Sequence, residues 1–218
     1  LEDSKLDKPK QVLINKNRII AAFDFDGTLT YSDTLIFFLL FCRGPWISLP
    51  LFVIALPFYL LFKLKIISRQ RAKEILLTLF LHGKSDEEIG ALGKSFATQQ
   101  IERHLRPKAL ERIAWHKNQG HELILISANL REFLLPWAEQ VGFNRVISSE
   151  LEINHGKITG KLVGKNCHGH EKLRRLEDEV GPLSEVTLYA YGDSVGDREL
   201  LEAADHPFYR HLPDSRTQ

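Results

Sequence analysis

Apolar and polar positions divide the chain into three stretches of different character. Residues 1–17 are mostly polar and read as a leader. Ile19 to Phe23 is an unbroken apolar run that turns polar at Asp24, the pattern of a strand buried on both faces. Leu35 to Cys42 is wholly apolar, Arg43-Gly44 interrupts, and Pro45 to Phe62 runs 18 residues without a charge. Lys63, Lys65, Arg69, Arg71 and Lys73 follow at once. Ile75 to Leu81 continues an apolar helix that Gly83 stops, and Ser85-Asp86-Glu87-Glu88 has the form of a capping box. The helix it opens carries Ile89, Leu92, Phe96 and Ile101 on one stripe. Residues 34–104 therefore read as all-helical.

From Pro107 the pattern alternates helix and strand. Helices are expected from Pro107 to Gly120, over Leu130–Val141 with an interruption at Pro136, and over Gly169–Val180. Strands are expected over His121–Ser127 and Val186–Tyr191. Val146–Ile153 and Lys157–Leu162 read as extended segments about the Asn154-His155-Gly156 turn. The expected class is α/β, a Rossmann-like three-layer core with a mainly parallel sheet.

The long apolar stretch approaches the ~20 residues that cross a bilayer. A single crossing would put Asp24 and the later polar motifs on opposite sides. Two crossings need roughly 34–50 residues, more than the segment offers, and Pro50 and Pro57 break a straight helix. Two readings remain: a helical hairpin lying in a membrane interface, with the basic cluster on anionic headgroups, or an apolar unit packed on itself.

Composition narrows the partners. A net charge of +1 over 218 residues argues against nucleic acid, and two cysteines suit a reducing compartment. Residues 1–18 lack the apolar core of a signal peptide.

The candidate chemistry sits at the ends of the expected strands. Asp24 and Asp26 lie two apart, so strand alternation turns both carboxylates to one side, and the Gly27 and Thr28 amides can form an anion nest. Two carboxylates beside an anion site call for a cation. Ser127-Ala128-Asn129 ends the second strand, where a hydroxyl and amides at a helix start suit phosphate oxygens. Lys172 stands near a helix start, and Asp193 and Asp197 lie four apart after the third strand, as oxygen ligands for a hard cation or as helix caps. Cys167, His168 and His170 share one loop without a distant fourth ligand, short of a zinc pattern.

Asp-x-Asp-Gly-Thr, Ser127, Lys172 and Gly-Asp-Ser-x-x-Asp occur in an order that resembles the four motifs of the haloacid dehalogenase superfamily. The inserted helices resemble its C1 cap, and Asn166-Cys167-x-Gly169-x-Glu171-Lys172 resembles the phosphoserine-phosphatase-like subfamily. Within it, the apolar cap with its basic exit is similar to the bacterial C-type phosphatidylglycerophosphate phosphatases. The resemblance implies a catalytic core over 18–33 and 105–218, with a cap over 34–104. It implies Asp24 as nucleophile, Asp26 as acid and base, and Lys172 as charge partner. Mg²⁺ would be held by Asp24, Asp26 and Asp193, with Asp197 ligating or positioning. Gly27, Thr28, Ser127, Ala128 and Asn129 would hold phosphate, and Asp33 would face the substrate. The expectation is a phosphomonoesterase acting on a lipid phosphate at the cytoplasmic face of a membrane. The alternatives are a cytoplasmic phosphatase of a small metabolite and a non-catalytic binding module that uses the cap.

Overall fold

The computed structural model describes residues 18–213, so the leader expected over 1–17 lies outside the described residues. Five strands form a parallel sheet: β1 (Arg18–Phe23), β2 (Glu122–Leu130), β3 (Arg145–Ser149), β6 (Val186–Gly192) and β7 (His206–Tyr209). Their order is β3-β2-β1-β6-β7, and β4 (Leu151–Asn154) pairs antiparallel with β5 (Lys157–Leu162) as a separate hairpin. Strand alternation sends Ala21 and Phe23 into one apolar cluster and Ile20 and Ala22 into another. Helices α5 (Pro107–Asn118) and α6 (Arg131–Val141) reach the first through Ile113 and Phe133. Helices α7 (His170–Val180) and α8 (Arg198–Glu202) reach the second through Leu176 and Leu200. The expected three-layer α/β core is therefore present. The carboxyl ends of β1, β2 and β6 meet at one edge, where open parallel sheets bind ligands.

Between β1 and α5 come four inserted helices, α1 (Thr34–Arg43), α2 (Pro45–Lys63), α3 (Arg69–Leu81) and α4 (Asp86–Gln99). The sequence signals err here in instructive ways. Pro50 and Pro57 sit inside an unbroken α2. The carbonyls they leave without a helical donor, Trp46 and Val53, belong to exposed residues, where an outside donor can reach them. Pro136 likewise leaves α6 whole. The carbonyl it cannot bond is that of Glu132, against which Gly93 of α4 packs so closely that a Cβ would lie 2.1 Å from it. The capping box is half formed: Ser85 accepts the Glu88 amide, but the Glu88 carboxylate pairs with Lys84. The segment 146–153 divides between the main sheet and the hairpin, and β7 has no counterpart in the expected elements.

The hairpin clasps α3 and its end. The Gly83 amide donates to the Ile158 carbonyl at 3.0 Å, the Ile158 amide to Lys84 at 2.9 Å and the Asp86 amide to Gly156 at 3.2 Å. Gly160, with φ of 86°, lies so close to Thr78 that any side chain would collide with its backbone.

Between β6 and α5 lies a buried polar chain. Arg112 Nε donates to the Tyr191 hydroxyl at 2.7 Å, that hydroxyl is 2.8 Å from His116 Nε2, and His116 Nδ1 is 2.7 Å from His121 Nδ1. A hydroxyl accepting from arginine passes its own proton on, so His116 is neutral, accepting at Nε2 and donating from Nδ1. Burial first, then the Arg112 charge, pushes its pKa from 6.5 down to about 3. The unfolded chain takes that proton near 6.5 and the folded protein does not, so stability present above 6.5 is lost as pH falls toward 3. Urea unfolding is expected to show about 2 kcal/mol less stability at pH 5 than at pH 7 from this group. His116→Gln is expected to flatten that dependence; an unchanged slope would refute it.

Candidate active site

The loop after β1 is built around Gly27, with φ of 78°. The Leu29 and Thr30 amides both return to the Phe25 carbonyl, at 2.9 and 3.1 Å. Those of Gly27 and Thr28 take no protein acceptor among the described residues, leaving them available to an anion. Arg106 fastens the loop from behind, donating to the Gly27 carbonyl at 2.8 Å and to that of Thr30 at 3.0 Å.

Asp24 is buried, and its Oδ1 accepts from Lys172 Nζ at 2.6 Å while Oδ2 faces the Thr28 hydroxyl at 3.4 Å. Lys172 is buried as well and donates to Asp197 Oδ1 at 2.5 Å. Burial raises Asp24 to about 6 in spite of the lysine. Burial pulls the Lys172 ammonium down, but the two carboxylates outweigh it and hold it above its usual range. Lys172 faces two anions, and the pair is ionised at neutral pH.

Asp26 has a different environment. Oδ1 accepts from the Thr34 amide (3.0 Å) and hydroxyl (2.7 Å), and Oδ2 from Asn129 Nδ2 (2.7 Å). Burial, then the charge of Asp33, holds Asp26 far above the usual carboxylate range, which favours a carboxyl that keeps its proton near neutrality. Asp33 lines the cavity, with Oδ1 accepting the Leu35 amide at 2.9 Å as the cap of α1. Ser127 is buried and accepts the Asn129 amide at 3.1 Å. It does not stand at a helix start: the pairing of β2 with β3 shifts between Ile126 and Leu130, and α6 begins at Arg131. Ser127, Ala128 and Asn129 therefore project from an irregular strand.

One oxygen of each of Asp24, Asp193 and Asp197 lies within 4.8 Å of the others. A Cβ at Gly27 would lie 2.3 Å from the Asp193 carboxylate, so glycine leaves the acid its place. Burial and the neighbouring Asp197 raise the pKa of Asp193, the sign of crowded anions that a cation would relieve. The all-oxygen donor set fits a hard cation. Asp197 is the least available of the three. Its Oδ2 accepts from the Asp193 and Ser194 amides and the Ser194 hydroxyl, and its Oδ1 from Lys172, so only Oδ1 keeps an open acceptor position. It caps the turn after β6 and steers Lys172.

These groups open into a cavity of about 980 Å³. Its polar end holds Asp24, Asp26, Ser127 and Asp193, and its far wall is Phe52, Leu56, Tyr59 and Phe62 of α2. Sequence reasoning missed Thr34, Arg106 and Lys73, which donates to the Ala128 carbonyl and to Asn166 Oδ1. Thr34 stood at the first position of the helical stretch 34–104, Lys73 hid in a basic cluster, and Arg106 carried no signal beyond preceding Pro107.

The family model of haloacid dehalogenase-like hydrolases matches residues 21–202. The chain is 33% identical over 195 residues to the protein CicA of Caulobacter vibrioides, covering 88% of this chain and 86% of that one. It is 28% identical over 125 residues to a phosphoserine phosphatase of Archaeoglobus fulgidus, covering 54% of this chain and 36% of that one. A solved structure from Bordetella pertussis, of a protein of unknown function, shares the fold with a TM-score of 0.77 and 25% identity, covering 88% of this chain and 89% of that one.

Proposed function

This chain belongs to the haloacid dehalogenase-like hydrolases and is a phosphatase, and from that premise we propose that it cleaves a lipid phosphomonoester with Mg²⁺ through an aspartyl-phosphate. Asp24 attacks phosphorus, and the bond to the alcohol oxygen breaks as Asp26 gives that oxygen its proton. Water then attacks the phosphorylated Asp24 and loses a proton to Asp26, releasing phosphate and restoring both carboxyl groups. Ser127 and the Gly27 and Thr28 amides hold phosphoryl oxygens, and Lys172 offsets their charge. Asp24, Asp193 and the Asp26 carbonyl would hold Mg²⁺, whose charge eases the approach of carboxylate to phosphate. In this reading the inserted helices are the cap, and Asp33 faces the substrate.

The observation that carries the lipid reading is the continuity of one cavity from the carboxylates to α2. Only Ser48 of α2 is buried, while Trp46 is 89% exposed, Leu49 66% and Val53 64%. Such a helix suits a lipid interface better than water. By length and composition α2 is also long and apolar enough to cross a membrane. Yet Thr34 of α1 touches Asp26 and Lys73 of α3 touches Ala128, so the helices on either side of α2 serve one site. A helix lying in the interface at the cytoplasmic face keeps them together, with Lys63, Lys65 and Arg71 beside anionic headgroups.

Phosphate release from phosphatidylglycerophosphate in mixed micelles with Mg²⁺ is expected to exceed release from phosphoserine or a generic soluble ester by at least about tenfold in kcat/KM. Activity confined to the soluble esters would overturn the lipid reading and leave the chemistry standing.

A further inference from the structure

The positive groups around the cavity are unevenly matched. Lys172 has two carboxylates; Arg106 and Arg210 have no ion pair among the described residues, but they are spent on holding the carbonyls of Gly27, Thr30 and Asp193 in the loops of the hydrolytic end. Lys73, on the cavity side of α3, has only neutral acceptors: the Ala128 carbonyl and Asn166 Oδ1 at 3.2 Å. It has no ion pair among the described residues, and one of the ammonium's three N–H bonds is left over. One turn earlier, Arg69 lines the same cavity; its guanidinium stands 5.5 Å from the Phe62 ring and also has no ion pair among the described residues. Residues four apart share a helix face, so the two cations stand together between the carboxylate end and the aromatic wall of α2.

A half-buried cation with no dedicated counter-ion is costly, and a ligand that brings the missing anion converts that cost into affinity. Burial draws Lys73 down to about 8, against the charges of Asp33 and Asp26. The phosphoryl group that reacts already has Lys172, Ser127 and two free amides. We propose that Lys73 and Arg69 form a second anion subsite, which receives an acidic group of the substrate other than the phosphate that is removed. The substrate is then a phosphomonoester bearing a second ionised oxygen group, a phosphodiester or a carboxylate. This rests on the reading of the Asp24 end as the hydrolytic site.

Three soluble substrates test the subsite without any lipid surface: glycerol 3-phosphate, with no second acid; 3-phosphoglycerate, with a carboxylate; and deacylated phosphatidylglycerophosphate, with a phosphodiester. The wild-type protein is expected to prefer one of the two diacids by about tenfold in kcat/KM, and which one identifies the acid. Lys73→Gln should erase about tenfold of that preference, through KM rather than kcat, and Arg69→Gln severalfold, while Lys73→Arg retains most of it. The absence of any diacid preference, or equal losses on all three substrates, would overturn the subsite while leaving the hydrolytic reading intact. If the wild-type protein hydrolyses no phosphomonoester at all, the hydrolytic reading falls and the subsite with it.

Discussion

Asp24→Asn is expected to reduce phosphate release by at least about a thousandfold while leaving the protein as stable as before, or more so. The amide has the shape of the carboxylate but cannot form the phosphoryl bond. The stability half of the expectation follows from the sign of the pKa. Asp24 is raised to about 6 by burial, so its ionised form is less favourable in the folded protein than in the unfolded chain at neutral pH. A neutral isostere escapes that cost, and Lys172 keeps Asp197 as a partner. Phosphate assays beside thermal melts at pH 8 check both halves. Activity within tenfold of the wild type would remove Asp24 from the chemistry. A collapse of the fold would mean that the Lys172 pair matters more than the burial of the acid.

Lys172→Met is expected to fail on both counts. Its ammonium bonds both Asp24 Oδ1 and Asp197 Oδ1, so its loss leaves two buried anions facing one another. Breaking a buried pair from one side costs about 3–5 kcal/mol, and removing the positive charge that meets the phosphoryl group should abolish turnover. The double variant with Asp24→Asn separates the two effects: stability should return in part, because one anion is gone, and activity should not. A single variant as stable as the wild type in urea would show that the carboxylates find another cation or take up protons.

Much of this site was legible because its groups lie at strand ends. The apolar run Ile19–Phe23 announces β1, and Asp24, Asp26 and Gly27 follow within four positions. Asp193 and Asp197 follow β6 in the same way. What escaped depends on contacts between distant positions. Asn129 reaches Asp26 across 103 residues, and no local pattern foretells that bond. Lys73 differs from its basic neighbours only in the direction its helix gives it. Ser127 stands on an irregular strand rather than at the helix start its sequence suggests, because a shift in strand pairing leaves no mark in composition. The strand His206–Tyr209 is four residues long, contains Pro207 and pairs only with β6, so neither length nor alternation marked it. The three prolines mislead for one reason: the damage a proline does depends on whether the released carbonyl finds a tolerant neighbour, and that neighbour is a tertiary fact.

The clasp of the β4–β5 hairpin on α3 and the close seat of Gly93 on α6 fasten the inserted helices to the core at two places. α2 has no such fastening and packs chiefly on α1 and α3. α2 is therefore the least fastened part of the chamber wall among the described residues, and it is also the part turned outward. A vessel built this way exchanges its contents through the compliant side, and that side takes its stiffness from whatever it rests against. On the lipid surface proposed for α2, the viscosity and lateral order of that surface would then act as rate parameters of the enzyme, as solvent friction does for any hinge immersed in it.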